Sequence, residues 1–155
     1  MITTQIKIGS SAKTDMYSTY GFIYISADNR LAAPIKEMEK TSYPEEEGEH
    51  IHPLAKEDAF DYKVKFLIEG TTLNRVNSKV ATFNAALKDT SSMLKKVEFY
   101  NPDRKVKIVG YANPISEATD FWYTALNEKT DSAMVELTIR VVKPSDCNFN
   151  YTPTT

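Results

Sequence analysis

The chain has one cysteine, five glycines, two histidines and one tryptophan, and each scarcity closes a route to function. A single cysteine, Cys147, cannot build an internal disulfide framework. Its surroundings, KPSDCNFN, carry no glycine-rich elbow or oxyanion loop, so pairing it with His50 or His52 does not assemble a thiol enzyme. A small, buried or half-buried side chain is the expectation. None of the five glycines cluster, which leaves no loop to cradle a phosphate and therefore no nucleotide hydrolysis. Charge of one sign is missing too. Nineteen basic residues against twenty-one acidic ones give a formal charge of -2, with no broad electrostatic footprint for nucleic acid or an anionic membrane. No stretch approaches about eighteen apolar residues, and the N-terminus MITTQIKIGSS lacks a basic region followed by an apolar run and a cleavage site. A soluble protein, not secreted by that route, is expected.

What is present suits one globular domain. The 155 residues are 41% hydrophobic and 26% charged, enough to bury a core without staples. No repeat, low-complexity tract or linker divides them, so the domain is expected to run over 1–155, with 144–155 a polar C-terminal tail. Nine tyrosines and seven phenylalanines fall mostly in segments that alternate, and alternation predicts strands. In FDYKVKFLIEG, Phe60, Tyr62, Val64, Phe66 and Ile68 share one face, while Asp61, Lys63, Lys65 and Glu69 share the other. The segment AMVELTIRVV repeats the pattern, with Ala133, Val135, Leu137, Ile139 and Val141 inward and Glu136, Thr138 and Arg140 outward. KKVEFYNPDRKVKIVGYA reads as a hairpin turning at NPDR, where Pro102 presets the turn dihedral and Asn101 and Asp103 can bond the local backbone. YGFIYISA, ITTQIKI and DFWYTALN are further strands, and IKEME is ambiguous.

One segment has helical period. Val76, Val80, Phe83 and Leu87 are spaced by four, three and four, which predicts a helix over about 73–88 capped by Thr72 or Asn74. The expected class is therefore α+β, mostly β: a β-sandwich or partly open barrel of about seven or eight strands with one α-helix covering an end or face.

Two constellations carry chemistry. TSYPEEEGEHIHP gathers four glutamates and both histidines, and Glu47, His50 and His52 are the candidate metal ligands. On an extended strand the two imidazoles would share a side. A third and fourth ligand at a recognisable spacing, such as HExxH or paired CxxC, do not occur, and the spaced Asp/Asn positions of a calcium loop are missing. A solvated loop over 45–52 is the simpler reading, and no metal or cofactor is assigned. The trio Phe121–Tyr123 could stack a ligand. Neighbouring strand residues point to opposite faces, so Phe121 and Tyr123 at most share a side, and core or interface packing is the expectation.

The order of features carries more than any motif. From about Met16 onward the chain resembles the N-terminal domain of phage distal tail proteins, within a wider class of tail-tube-like folds. The resemblance runs through YSTYGFIYIS, the turn YPEEEGEHI, the strand FDYKVKFLIEG, the helix NRVNSKVATFNAALKD, the hairpin KVEFYNPDRKVKIVGYA and the closing strand VELTIRVVKPSDCNF. It implies a non-enzymatic component of a phage or prophage tail, or of a related contractile or ejection apparatus, that forms a cyclic homo-oligomer, six-fold, and contacts other tail proteins, in a virion tail assembled in the bacterial cytoplasm. The sequence ends shortly after the closing strand, so the second, appended domain of many longer members is expected to be missing here. Contacts between copies would then fall on strand edges and on the outward residues Lys63, Lys65, Glu136 and Arg140. Two other readings stay open. One is a small ligand- or protein-binding module using Phe121–Tyr123 or the acidic loop; the other is a metal-dependent enzyme built on His50 and His52.

Overall fold

The structure, a computed structural model, describes residues 3–36, 40–41, 50–51, 56–70, 72–122 and 131–153. Its first elements are β1 (Gln5–Ile8), β2 (Thr14–Asp15), α1 (Met16–Tyr20), β3 (Phe22–Ala27), β4 (Lys40–Thr41) and β5 (His50–Ile51). They are followed by β6 (Phe60–Gly70), α2 (Leu73–Ala86), β7 (Val97–Asn101), β8 (Val106–Ala112), β9 (Asp120–Trp122) and β10 (Asp131–Val141). Among the described residues eight strands form one sheet in the order β2-β1-β7-β8-β10-β6-β3, with β9 also on β10, and β4 and β5 form a separate pair. The expectation of a mostly β, α+β fold holds. The sheet is open: β2 and β3 end it without meeting.

It nevertheless curls over a core. On a flat sheet, strands three steps apart would stand roughly 14 Å from one another, given the spacing of about 4.8 Å. Yet Phe66 and Tyr62 of β6 lie with ring centroids 6.2 and 6.5 Å from Phe99 of β7. The sheet thus folds into two limbs, β2-β1-β7-β8 and β10-β6-β3, whose apolar faces meet. Alternation produced both faces: β6 buries Phe60, Tyr62, Val64, Phe66 and Ile68, and β10 buries Ala133, Val135, Leu137, Ile139 and Val141.

The limbs are joined by a narrow seam. β10 pairs with β6 along its full length, from Asp131↔Gly70 to Val141↔Phe60, but meets β8 only at Ile139↔Ala112 and Arg140↔Tyr111. Gly110 makes that approach possible, because a Cβ there would collide with the Arg140 carbonyl oxygen. Elsewhere the free edge of β10 is covered by residues 113–119, through Asn113 N–H donating to Thr138 O and Thr119 N–H to Met134 O.

Among the described residues two α-helices are present where one is expected. α1 has only five residues, too few to show a period of 3.6. It is set by its ends: the Asp15 carboxylate accepts from Tyr17 N–H at 2.8 Å, and Gly21, at φ 76°, closes it in the left-handed conformation. α2 starts at Thr72, whose hydroxyl accepts from Arg75 N–H. It ends at Ala86, with Leu87 buried as its last cap. Phe83 docks it: the ring lies 4.9 Å from that of Phe22, which in turn lies 5.6 Å from Phe66. The helix therefore closes one end of the core between the limbs.

Beyond β10, Pro144 is buried and Phe149 packs partly against the core. Lys107 and Asn148 exchange backbone hydrogen bonds of 2.7 and 2.9 Å. Residues 144–151 thereby lie along β8, which is why Val109 is buried on the side away from the core.

Candidate functional site

The outward residues of β6 and β10 form the surface that sequence patterning singled out. Register fixes their arrangement, since residues directly opposite in an antiparallel pair share a face. Lys65 lies opposite Glu136, Lys63 opposite Thr138, and Asp61 opposite Arg140. Arg140 Nη1 is 3.3 Å from Asp61 Oδ1. Both side chains are about half exposed, so this pair contributes at most about 1 kcal/mol. Further up, Ile23, Leu67 and Met134 form a half-buried apolar row crossing β3, β6 and β10. At the edge of this face Ile25 is the extra residue of a β-bulge between Tyr24 and Ser26, and it is exposed. The bulge blunts the edge strand against unspecific pairing.

The opposite limb carries a charge network. Glu98 receives Lys107 at 3.1 Å and Lys7 at 3.5 Å. Burial acts to raise the Glu98 pKa, but the hydrogen bond and charge of Lys107, with Lys7, outweigh it and hold the carboxyl below its ordinary value. Lys107 is raised, chiefly by its hydrogen bond to Glu98. Lys13 sits 4.4 Å over the Tyr100 ring, with Lys107 Nζ 5.8 Å from its centroid and the Tyr151 ring at 5.3 Å.

Between the limbs lies a buried polar node. Asn101, fully buried at the end of β7, donates from Nδ2 to the hydroxyls of Tyr62 at 3.2 Å and Tyr24 at 3.4 Å. Its Oδ1 accepts from the backbone N–H groups of Asp103 and Arg104 at 3.0 and 3.3 Å. Tyr24 donates its own proton to Asp103 Oδ2 at 2.7 Å. One amide thus ties β3, β6 and β7 to the hairpin turn. Burial pushes the Tyr62 hydroxyl up to about 12, and raises that of Tyr24.

The chemical candidates fare differently. Cys147 is half-buried, accepts weakly from Val109 N–H at 3.4 Å, and has its thiol raised by burial. A raised thiol is a poor nucleophile. Of the metal candidates, His50 lies in β5 opposite Thr41, while Glu47, His52 and the remainder of the 45–52 loop, apart from Ile51, lie outside the described residues. Phe121 and Trp122 belong to β9, paired with Ala133 and Ser132; Tyr123 lies outside the described residues. Among the described residues no three His, Cys, Asp or Glu side chains gather as metal ligands, and no helix is long and apolar enough to cross a membrane. A groove of about 600 Å³ between α1 and α2 is lined, among the described residues, by Thr19, Tyr20, Arg75, Ser78, Lys79 and neighbouring polar residues, none of them a carboxylate, imidazole or thiol.

The described residues thus form an open, curled antiparallel sheet with a helix closing one end and with charged, partly apolar outer faces. The comparisons agree in fold. The chain matches SPP1 Dit, whose crystal structure is described as a paradigm of the hub adsorption apparatus in phages infecting Gram-positive bacteria, with a TM-score of 0.56 at 15% sequence identity. The match covers 91% of this chain and 50% of that one, so the chain spans about half the length of that protein. No protein-family model matches the sequence, and no curated protein does. The chain therefore has a fold found in a phage tail hub protein.

Proposed function

We propose that this chain is a non-enzymatic structural component of a phage or prophage tail, a distal-tail or tail-tube-like subunit that assembles with copies of itself into a ring and contacts other tail proteins. The observation that carries the reading is the shared fold over 91% of the chain with a tail hub protein. The surfaces support it. The outer face of β6 and β10 mixes an apolar row with alternating charges, a composition suited to an interface between copies in which charge sets register. On this reading Lys63, Lys65, Glu136 and Arg140 lie at contacts between subunits, and the protein resides in the virion tail.

The test is assembly. Light scattering and negative-stain microscopy of the purified chain, and of its operon partners co-expressed with it, are expected to show a closed ring containing it, with six-fold symmetry. Stable contacts of this kind bury on the order of 800 Å² per partner, so the ring should survive moderate salt, which screens only exposed charge. Monomer alone at millimolar concentration, with no ring in the presence of those partners, would refute the proposal.

A further inference from the structure

The two flanks of β6 differ in a way that the ring reading does not use. On the β3 side, residues 29–36, NRLAAPIK, follow the edge strand. Leu31 is 89% exposed and Ile35 60% exposed, the two most exposed large apolar side chains near that edge. The end of the segment is held in place by backbone bonds: Lys36 N–H donates to Lys56 O at 2.8 Å, and Asp58 N–H to Pro34 O at 2.6 Å. Ile35, which these bonds flank, is thus presented from a fixed stretch of chain, and ordering it on contact costs little entropy.

On the β10 side there is a groove of about 450 Å³. Its floor is Ala133 and Val135, and its walls are Val76 and Val80 of α2 and Ile115 and Ala118 of the 113–119 segment. The far wall is pinned to the helix, because the Asn84 side chain donates to Ile115 O at 2.8 Å and accepts from Ile115 N–H at 2.9 Å.

Charge is complementary. The 29–36 segment has two cations and no carboxylate: Arg30, whose guanidinium lies 4.4 Å over the Phe60 ring of its own chain, and Lys36, which is exposed; residues 113–120, NPISEATD, have two carboxylates, Glu117 and Asp120, and no cation. Asp28 and Asp58, which border the basic segment, commit their carboxylates to the backbone N–H groups of Lys63 and Ala59. Segment and groove lie on opposite flanks of β6, so the segment's occupancy of a groove requires a second copy. A contact between two different surfaces of the same chain is heterologous and repeats head to tail, the geometry from which rings are built.

We propose that residues 29–36 of one copy dock into the groove between α2 and residues 113–118 of the next, with Leu31 and Ile35 in the groove and Lys36 facing Glu117. This rests on the ring reading and adds a second contact between copies to the one on the outer face of β6 and β10.

The test uses the full chain and sedimentation or native mass spectrometry. Leu31→Glu alters a side chain that is 89% exposed, so folding should be unchanged while the dissociation constant between copies rises at least roughly tenfold, as for an interface anchor. Lys36→Glu and Glu117→Lys should each weaken assembly, and the double variant should restore it. Mixing Leu31→Glu with Ala118→Arg should give heterodimers that stop at two subunits, since each partner keeps one intact surface. Wild-type assembly left undisturbed by Leu31→Glu and by both charge reversals overturns this contact while the ring reading stands. A wild-type chain that forms no ring, alone or with its operon partners, overturns both.

Discussion

Replacing Asn101 by alanine removes the one amide that holds three strands and a turn together, and the structure sets the size of the loss. Four hydrogen bonds disappear. Two of them come from the backbone N–H groups of Asp103 and Arg104; these residues are exposed, so water can take the amide's place and the loss is about 1 kcal/mol in total. Tyr24 keeps its 2.7 Å bond to Asp103 and loses little. The Tyr62 hydroxyl is different. Tyr62 is fully buried, and a hydroxyl stranded there costs about 1–3 kcal/mol. The expected total is about 2–4 kcal/mol. For a chain of this length that corresponds to a fall in Tm of roughly 5–15 °C, at about 2–4 °C per kcal/mol. Urea unfolding followed by far-UV circular dichroism measures it, and a double-mutant cycle apportions it. Tyr62→Phe should cost less in the Asn101→Ala background than in the wild type, because the stranded hydroxyl is gone. A loss below about 1 kcal/mol, or costs that simply add, would refute the account of the node.

Three further outcomes are expected. The folded-state pKa of Tyr62, about 12, lies above its ordinary value of 10.0, so the stability this group contributes is complete below pH 10 and is lost as pH rises toward 12; Tyr62→Phe should flatten the fall of the urea midpoint in that window, and an unchanged slope would sink the assignment. Phe83→Ala should cost about 3–5 kcal/mol, since the ring is fully buried against Phe22 and Tyr20, and a soluble variant of unchanged stability would mean that α2 is not docked by this residue. Gly110→Ala should cost about 1–3 kcal/mol, the range for overpacking, by forcing β8 off the Arg140 carbonyl; amide exchange should show the loss concentrated at 110–112 and 139–141.

The long strands were legible because eleven residues of alternation in β6, matched by β10, leave no other face to bury. The NPDR turn was legible for a similar reason: Pro102 and Asn101 have few other uses side by side. β2, β4, β5 and α1, at two to five residues, are shorter than the patterns that would announce them, and exist because neighbours or caps supply their hydrogen bonds. In the node, the turn-bonding half of Asn101 could be read from sequence, but its bonds to Tyr24 and Tyr62 could not, because they join residues 77 and 39 positions apart. The outward set Lys63, Lys65, Glu136 and Arg140 was correctly predicted to face outward by alternation alone; the cross-strand partners of these residues depended on register, which alternation fixes only to within two residues. The groove beside α2 left no sequence signal, since its walls come from three separate segments.

The pairing of β6 with β10 also governs how this chain comes to be folded. Its nearest ends, Gly70 and Asp131, enclose the whole of 71–130, which contains α2 and the β7–β8 hairpin. Those inner elements need only local contacts and can form within microseconds. The two longest strands must then find each other across that loop, in a single register, before the core closes. Such non-local pairing places folding in the millisecond-to-second range and leaves β6 waiting with an apolar face and an unpaired edge. A chain synthesised from its N-terminus exposes β6 for as long as it takes the ribosome to deliver β10, so the interval of greatest exposure to misassembly is set by translation.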